Sequence, residues 1–176
     1  PIEKAVQEMN PIALVHHGGM TDRFFTEGRA DRVHDFVKRA HDLGRLAGVS
    51  SHSPKNIQRM ADEGWEADLY MTCFYYVTRP AEEQQKSLGK VAIYEPFYES
   101  DPLEMTAVVQ KVPKPCLVFK ILAAGRLCWS QKQVEGAFQF AFGHIKKTDG
   151  IIVGMFPRYE DEIRLNVEYA RKHGAV

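Results

Sequence analysis

Short apolar runs alternate along the chain with longer stretches in which apolar residues recur at helical spacing. The runs predict five strands, at residues 11–16, 46–50, 67–74, 115–121 and 150–154. Within each run the apolar residues are continuous rather than alternating with polar ones, which is typical of strands covered on both faces. The pattern therefore predicts a parallel sheet in an α/β protein.

The segments between the strands predict helices. One helical face is apolar in the segment 33–40, and Gly44 marks the end of that helix. Ser53 and Pro54 are suited to the N-cap and first position of the next helix. Further helices are predicted at residues 2–9, 81–87, 130–147 and 159–172 and after a cap at 100–102, while residues 89–99 are predicted to be irregular or to hold a small extra strand.

Two architectures fit five consecutive βα units: an open doubly wound sheet and part of a (β/α)8 barrel. No glycine-rich phosphate loop follows any predicted strand, which disfavours the doubly wound sheet. Polar residues instead end the strands, as in barrel enzymes, whose sites are assembled from many strand ends. They are His16, Ser50-Ser51-His52, Thr72-Cys73, Lys120 and the segment after Gly154. We therefore predict a parallel (β/α) barrel of TIM type, with residues 1–176 forming one domain.

The length bears on this prediction. A barrel of this type needs about 200 to 250 residues, whereas the chain has 176. Five strands alone would leave two unpaired edges and an exposed apolar interior. We expect the first three βα units to be supplied by an upstream segment, by another chain or by a symmetry-related copy.

Composition excludes several classes of protein. Lys and Arg number 23 and Asp and Glu number 23, a balance that argues against binding to nucleic acid or to an anionic membrane surface. No apolar run is long enough to cross a membrane, and no signal-peptide pattern opens the chain. The three cysteines, an odd number without C-x-x-C spacing, indicate reduced thiols and a cytoplasmic protein.

Histidines at the strand ends suggest two kinds of chemistry. His16 and His52, which follow neighbouring strands, would suit a shared substrate as acid and base, or a zinc or other divalent ion with Asp22 as a third ligand. The alternative is that they bond only to loop backbone. No H-x-x-x-H spacing supports the metal.

Lys120 is a second candidate because it lies among apolar residues of a predicted strand. A lysine there is costly unless its amine reaches a site or a carboxylate. It suits a base or a Schiff-base former; alternatively it only pairs with an acid. Arg126 and Arg158, past the last two strands, are candidates to hold a phosphate or carboxylate.

The strand-end motifs resemble the aldo/keto reductases, and specifically strands four to eight of their barrel. The run IALVHHGG is similar to the end of that family's fourth strand, and GRLAGVSSHSPKNIQRM is similar to its "GK-x-R-x-x-G-V-S-N" segment. The run FKILAAGRL is similar to its "Y-S-P-L-A-x-G-x-L" segment. The last stretch, IIVGMFPRYEDEIRLNVEYA, is similar to its "I-x-G-A…E-Q-L-x-E-N" segment. The resemblance implies that His16 orients a substrate carbonyl. It also implies that NADP or NAD binds to Ser50, Ser51, Phe119, Arg158 and Asn166.

Departures from the family pattern keep other functions open. Ser51 replaces an Asn, Met71 stands where a Gln belongs, and Lys120 follows the stacking aromatic Phe119. The family's catalytic Tyr, Lys and Asp lie in its first three units, outside this match. The main hypothesis is an aldo/keto reductase-like oxidoreductase that acts on a small carbonyl or alcohol. The alternatives are a barrel lyase or isomerase that uses Lys120 with His16 and His52 without nicotinamide, and a non-catalytic barrel remnant. The expected partners are a small-molecule substrate and either further copies of the chain or a complementing chain.

Overall fold

Five strands alternate with helices in the computed structural model, which describes residues 2–174. The strands are β1 (Ala13–His16), β2 (Leu46–Ser51), β3 (Leu69–Cys73), β4 (Cys116–Phe119) and β5 (Gly150–Ile152). The helices are α1 (Ile2–Met9), α2 (Gly18–Thr26), α3 (Asp31–Asp42), α4 (Pro54–Asp62), α5 (Ala81–Leu88), α6 (Asp101–Val109), α7 (Gln131–His144) and α8 (Glu162–Gly174), with a short 3-10 turn at Ala123–Gly125.

The five strands form one parallel sheet in the order β1-β2-β3-β4-β5. This confirms the predicted α/β class and the all-parallel pairing. A doubly wound sheet reverses its strand order at a switch point, and no reversal occurs here. With crossovers of the usual right hand, consecutive order places the connecting helices on a single face.

The two faces of the sheet differ in how they are covered. Residues paired in register share a face, and on one face five side chains with little or no exposure pack under the helices: Ala47, Val49, Tyr70, Cys116 and Val118. The other face is also apolar but only half-buried at Val15, Leu69, Met71, Leu117 and Phe119. At its edge Ile152 is 41% exposed. We call this second surface the open face.

The capping residues confirm the predicted start of α4 and change the residue that caps the start of α6. Ser53 accepts a hydrogen bond from Asn56 N, with Pro54 in the first turn of α4. Before α6, the Ser100 hydroxyl makes no cap bond. The Asp101 carboxylate instead accepts bonds from the backbone N–H groups of Tyr76 and Tyr98, so it ties the segment after β3 to the start of α6.

Helix α2 was not predicted. It begins at Gly18, directly after β1, and its N-cap residue His17 makes no side-chain cap bond. The two glycines at its start are typical of a turn rather than of a helix. Tertiary contact with β2 holds α2 in place: a Cβ at Gly18 would lie only 2.9 Å from Ser50 Oγ and 3.0 Å from His52 Cε1.

Candidate functional site

A buried carboxylate organises the carboxyl end of β2. Helix α2 places Asp22 there, with its side chain 6% exposed. Its Oδ1 accepts hydrogen bonds from Ser51 Oγ at 2.5 Å and Asn56 Nδ2 at 3.0 Å. Its Oδ2 accepts from His52 N at 3.0 Å, His52 Nδ1 at 2.9 Å and Thr78 Oγ1 at 2.8 Å.

These donors keep Asp22 ionised. Burial acts to raise the pKa of Asp22, but the hydrogen bonds from His52, Ser51 and Thr78 together bring that pKa below its ordinary value. An ionised carboxylate only accepts hydrogen bonds. His52 must therefore carry its proton on Nδ1 when neutral, which leaves a lone pair on Nε2.

The ring of His52 lies beside the open face. Its side chain is 12% exposed, and it meets the Phe119 ring edge-on at a centroid distance of 5.8 Å. Within residues 2–174 no protein group forms a hydrogen bond with His52 Nε2. His52 is thus an oriented imidazole with one nitrogen free for acid–base chemistry.

Lys120 lies just past the end of β4 rather than inside the strand. Its φ of +58° is in the left-handed region and ends the strand at Phe119. Ala123 and Ala124 share this conformation, with φ of 50° and 52°. Each such residue is strained by roughly 1–2 kcal/mol when it is not glycine. Strain of this kind concentrates at functional sites.

The side chains of Glu95 and Phe97 lie near the Lys120 amine. Its Nζ lies 3.8 Å from Glu95 Oε2 and 5.8 Å from the Phe97 ring centroid, and its side chain is 27% exposed. Both neighbours belong to the irregular segment between α5 and α6, which crosses the carboxyl ends of the strands. The lysine therefore has a carboxylate partner and also keeps access to solvent.

Cys73 ends β3, the strand between β2, which His52 follows, and β4, which Lys120 follows. It is fully buried and is the register partner of Phe119. Burial raises the pKa of the Cys73 thiol to about 12, and the nearby charges of Lys120 and Asp22 act on it in opposite directions. The Asp22–His52 pair and Lys120 thus lie at the carboxyl ends of β2 and β4, on either side of β3.

His16 lies elsewhere. It pairs with Val49, which is on the helix-covered face. Its Nδ1 lies 2.8 Å from Thr21 Oγ1, and its ring packs against Phe36 at 5.1 Å. The expectation that His16 shares a site with His52 and Lys120 is not supported by this placement, because its side chain points to the helices.

The five expected nicotinamide contacts are dispersed. Ser51 is fully buried and bonds to Asp22, whereas Ser50 is 6% exposed beside Gly18. Phe119 lines a cavity of about 520 Å³ at the ends of β4 and β5. Asn166 lines a smaller adjacent cavity, and the Arg158 guanidinium lies 5.4 Å from the Tyr159 ring.

The larger cavity has a wall of mixed charge. Glu162 is part of it, and its Oε2 accepts a 2.6 Å bond from Phe156 N. Lys120 lines the same cavity. Of the five expected contacts, Phe119 alone lies on that wall.

The sequence does not predict the contacts that three residues make at the site. It suggests Asp22 only as a metal ligand and not as the hydrogen-bond partner of His52. No sequence pattern points to Thr78 or Phe97, because irregular segments bring them to the site. Among residues 2–174 no group of three or more His, Cys, Asp or Glu side chains is arranged to hold a metal ion.

Comparisons of the chain with protein-family models, with curated proteins and with solved structures find no match. None of the helices in residues 2–174 has the length and apolar character needed to cross a membrane. Functional inference therefore depends on the geometry of the site.

Proposed function

We propose that the protein is an acid–base enzyme that moves a proton next to a carbonyl group, as isomerases and lyases do. The observation that carries this proposal is the buried Asp22 carboxylate bonded to His52 Nδ1, which leaves Nε2 free. An imidazole held by a carboxylate is a common general base, since the carboxylate orients the ring and stabilises the imidazolium that forms.

The proposed step begins at His52. His52 Nε2 takes a proton from the carbon beside the carbonyl, the electron pair of the C–H bond forms a C=C bond, and the carbonyl π pair moves to the oxygen to give an enolate. The Lys120 ammonium stabilises the negative charge on that oxygen. His52 then returns the proton to the same carbon, which restores the substrate. Where that carbon carries a hydroxyl group, His52 can instead protonate the former carbonyl carbon while the hydroxyl proton moves to the enolate oxygen, which completes an isomerisation. Phe119, in edge contact with His52, shields the imidazole from water.

The fold proposed with this function is five consecutive units of a TIM-type barrel, with the open face as its interior. The consecutive strand order supports this, and so does the surface area. The accessible surface is 10373 Å², whereas a compact monomer of 20.0 kDa exposes about 8,700 Å². The excess of about 1,700 Å² on this one chain is roughly twice the ~800 Å² that each partner contributes to a standard interface.

Exposed apolar side chains at both edges support the same proposal. Met9 and Ile12 beside β1 are 76% and 83% exposed. On α8, Ile163 and Val167 are 52% and 43% exposed and are spaced by one helical turn. We expect further βα units, from this protein or from a complementing chain, to cover them. A chain that stays a 20 kDa monomer in sedimentation and binds no apolar dye would contradict this.

Proton exchange tests the acid–base proposal. Small 2-oxo acids and keto sugar phosphates are incubated with the protein in D₂O, and loss of the proton beside the carbonyl is followed by ¹H NMR. We expect acceleration for at least one compound and a loss of about 100-fold or more in His52→Gln.

His34 supplies a matched control for His52. It also pairs with a carboxylate, with Nε2 2.7 Å from Glu66 Oε2, but at an exposed position. His34→Gln should exchange protons like the wild type. Equal rates in His52→Gln and in the wild type would contradict the proposal.

A second candidate is the aldo/keto reductase-like oxidoreductase with NADP or NAD. The observation that favours it is Phe119 on the wall of the cavity at the ends of β4 and β5, where a ring can stack. Trp129 is next to Cys128 of the same wall and is 85% exposed. Titration with NADPH and NADH should quench tryptophan fluorescence saturably if this candidate is correct, and should leave Phe119→Ala unquenched. Absence of quenching by either cofactor would contradict it.

A further inference from the structure

We propose that Lys120 and Arg126 together bind an anionic group of the substrate, a carboxylate or a phosphate, beside the Phe97 ring. This proposal rests on the proposed acid–base function and names its substrate class: a small carbonyl compound that carries one such anion. It gives Arg126 a role that the proton transfer does not use. It also adds a contact to Lys120, whose ammonium has three N–H donors and can bond both to the enolate oxygen and to the anion.

One aromatic ring brings the two cations together. The guanidinium carbon of Arg126 lies 3.8 Å from the Phe97 centroid, and Lys120 Nζ lies 5.8 Å from the same centroid. Phe97 packs in turn against Tyr75, with centroids 5.0 Å apart, and Tyr75 is 6% exposed. The ring is therefore anchored to the core, and both cations lie against it.

Lys120 and Arg126 belong to the same turn after β4. Lys120, Ala123 and Ala124 are left-handed there. Backbone bonds from Ala123 N to Lys120 O at 2.8 Å and from Arg126 N to Ala123 O at 3.2 Å link the turn. Arg126 Nη1 donates to Ala123 O at 3.2 Å, which leaves its other N–H groups available. A guanidinium and an ammonium at one place suit a carboxylate or phosphate, which accepts several charge-assisted hydrogen bonds.

The positive charge at this place is only partly compensated. Within residues 2–174 no carboxylate lies within 4.0 Å of the Arg126 guanidinium, and Glu95 is the carboxylate that reaches Lys120. Glu95 is 60% exposed and its oxygen is 3.8 Å from Nζ. Such a pair contributes little, so an incoming anion can displace it.

Phe119 lies between the anion site and His52. Its ring meets His52 edge-on, and Phe119 and Lys120 line the same cavity at the ends of β4 and β5. An anion held at Lys120 therefore lies on the Phe119 side of His52. This arrangement favours a carbonyl compound that carries an anion, such as a 2-oxo acid or a sugar phosphate, over a neutral compound.

Binding of two probe anions tests the proposal without any turnover. Inorganic phosphate and acetate are titrated separately into the protein at low ionic strength, and binding is followed by calorimetry and by the NMR signals of the Arg126 side chain. We expect saturable binding of at least one probe, with an affinity about tenfold or more lower in Arg126→Gln and in Lys120→Gln. The stronger probe shows whether the natural anion is a phosphate or a carboxylate.

Arg29→Gln is the matched control. Arg29 also stacks on a phenylalanine, with its guanidinium carbon 4.8 Å from the Phe24 centroid, but its charge is paired with Glu27 at 2.9 Å. This variant should bind both probes like the wild type. Arg126→Lys, which keeps the charge, should recover part of the affinity lost in Arg126→Gln.

The outcomes separate this proposal from the acid–base function. His52→Gln should keep the anion affinity of the wild type, since His52 does not contact the probes. The anion proposal is overturned if neither probe binds saturably to the wild type, or if Arg126→Gln binds as tightly as the wild type. Anion binding that persists when His52→Gln exchanges protons like the wild type would overturn only the acid–base function.

Discussion

Asp22 accepts hydrogen bonds from four residues, so this one carboxylate matters both for stability and for the orientation of His52. An amide at the same place offers one oxygen and forces an NH₂ group towards existing donors. We expect Asp22→Asn to lower the free energy of unfolding by about 2 kcal/mol or more and to abolish proton exchange, both measured on the purified variant.

The Asp22 carboxylate makes the free energy of unfolding decrease at acidic pH. The hydrogen bonds lower the pKa of folded Asp22 against the opposing effect of burial. Its contribution to stability is therefore complete above the unfolded pKa of about 3.9 and is lost as the pH falls below that value. Urea unfolding between pH 6 and pH 3 should show a shallower pH dependence in Asp22→Asn than in the exposed control Asp35→Asn. Equal slopes would contradict this.

His16 gives a second pH effect in a higher range. Burial, with a smaller contribution from the charge of His17, lowers the pKa of His16. The folded state favours neutral His16, so this stability is present above the unfolded pKa of about 6.5 and is lost as the pH falls below it. We expect the free energy of unfolding to fall less between pH 7 and pH 5 in His16→Asn, which cannot be protonated. The same pH dependence in His16→Asn and in the wild type would show that the His16 ring is not buried against the helices.

At the scale of elements, the close contact of α2 with β2 predicts opposite effects for two glycines. In Gly18→Ala the new methyl carbon would lie 2.9 Å from Ser50 Oγ and 3.0 Å from His52 Cε1. The Ser50 hydroxyl can rotate away, but the His52 ring is held by Asp22, so the ring or α2 must give way. Gly136, in the middle of α7, has open space at the corresponding position. We expect thermal unfolding to show destabilisation by about 1–3 kcal/mol in Gly18→Ala and stabilisation by about 0.5–1 kcal/mol in Gly136→Ala. Stabilisation by both would contradict the packing described for α2.

The elements also show what the sequence could predict. All five strands and the cap at Ser53 follow from local patterns, and the structure confirms them. The side of the sheet to which His16 points does not follow, because a continuous apolar run hides the alternation that assigns faces. Helix α2 was missed for a different reason: it depends on contacts with β2 that outweigh the poor helix propensity of Gly18.

In the whole molecule, helices cover one face of the sheet and leave the open face half-buried. Two adjacent residues in β4 test this difference. Val118 is fully buried under the helices, whereas its neighbour Leu117 is half-buried on the open face. We expect Leu117→Lys to change the free energy of unfolding of the chain by less than about 1 kcal/mol while reducing apolar dye binding and self-association. Val118→Lys should unfold the chain, since it places an unpaired charge in the core. If Leu117→Lys unfolds the chain as Val118→Lys does, the open face is covered.

Residues distant in the chain meet at Asp22. Its partners are separated from it in sequence by 29 (Ser51), 30 (His52), 34 (Asn56) and 56 residues (Thr78). Contacts of such separation require long loops to close before they form, so they tend to appear late on the folding pathway. The ionised carboxylate and the orientation of His52 therefore arise only when β2, α4 and the segment after β3 are all in place. The strand pairs of the sheet have similar separations, 33 residues for Ala13 and Leu46 and 46 for Tyr70 and Cys116. In a refolding experiment, the orientation of His52 should therefore be recovered together with the sheet and not before it.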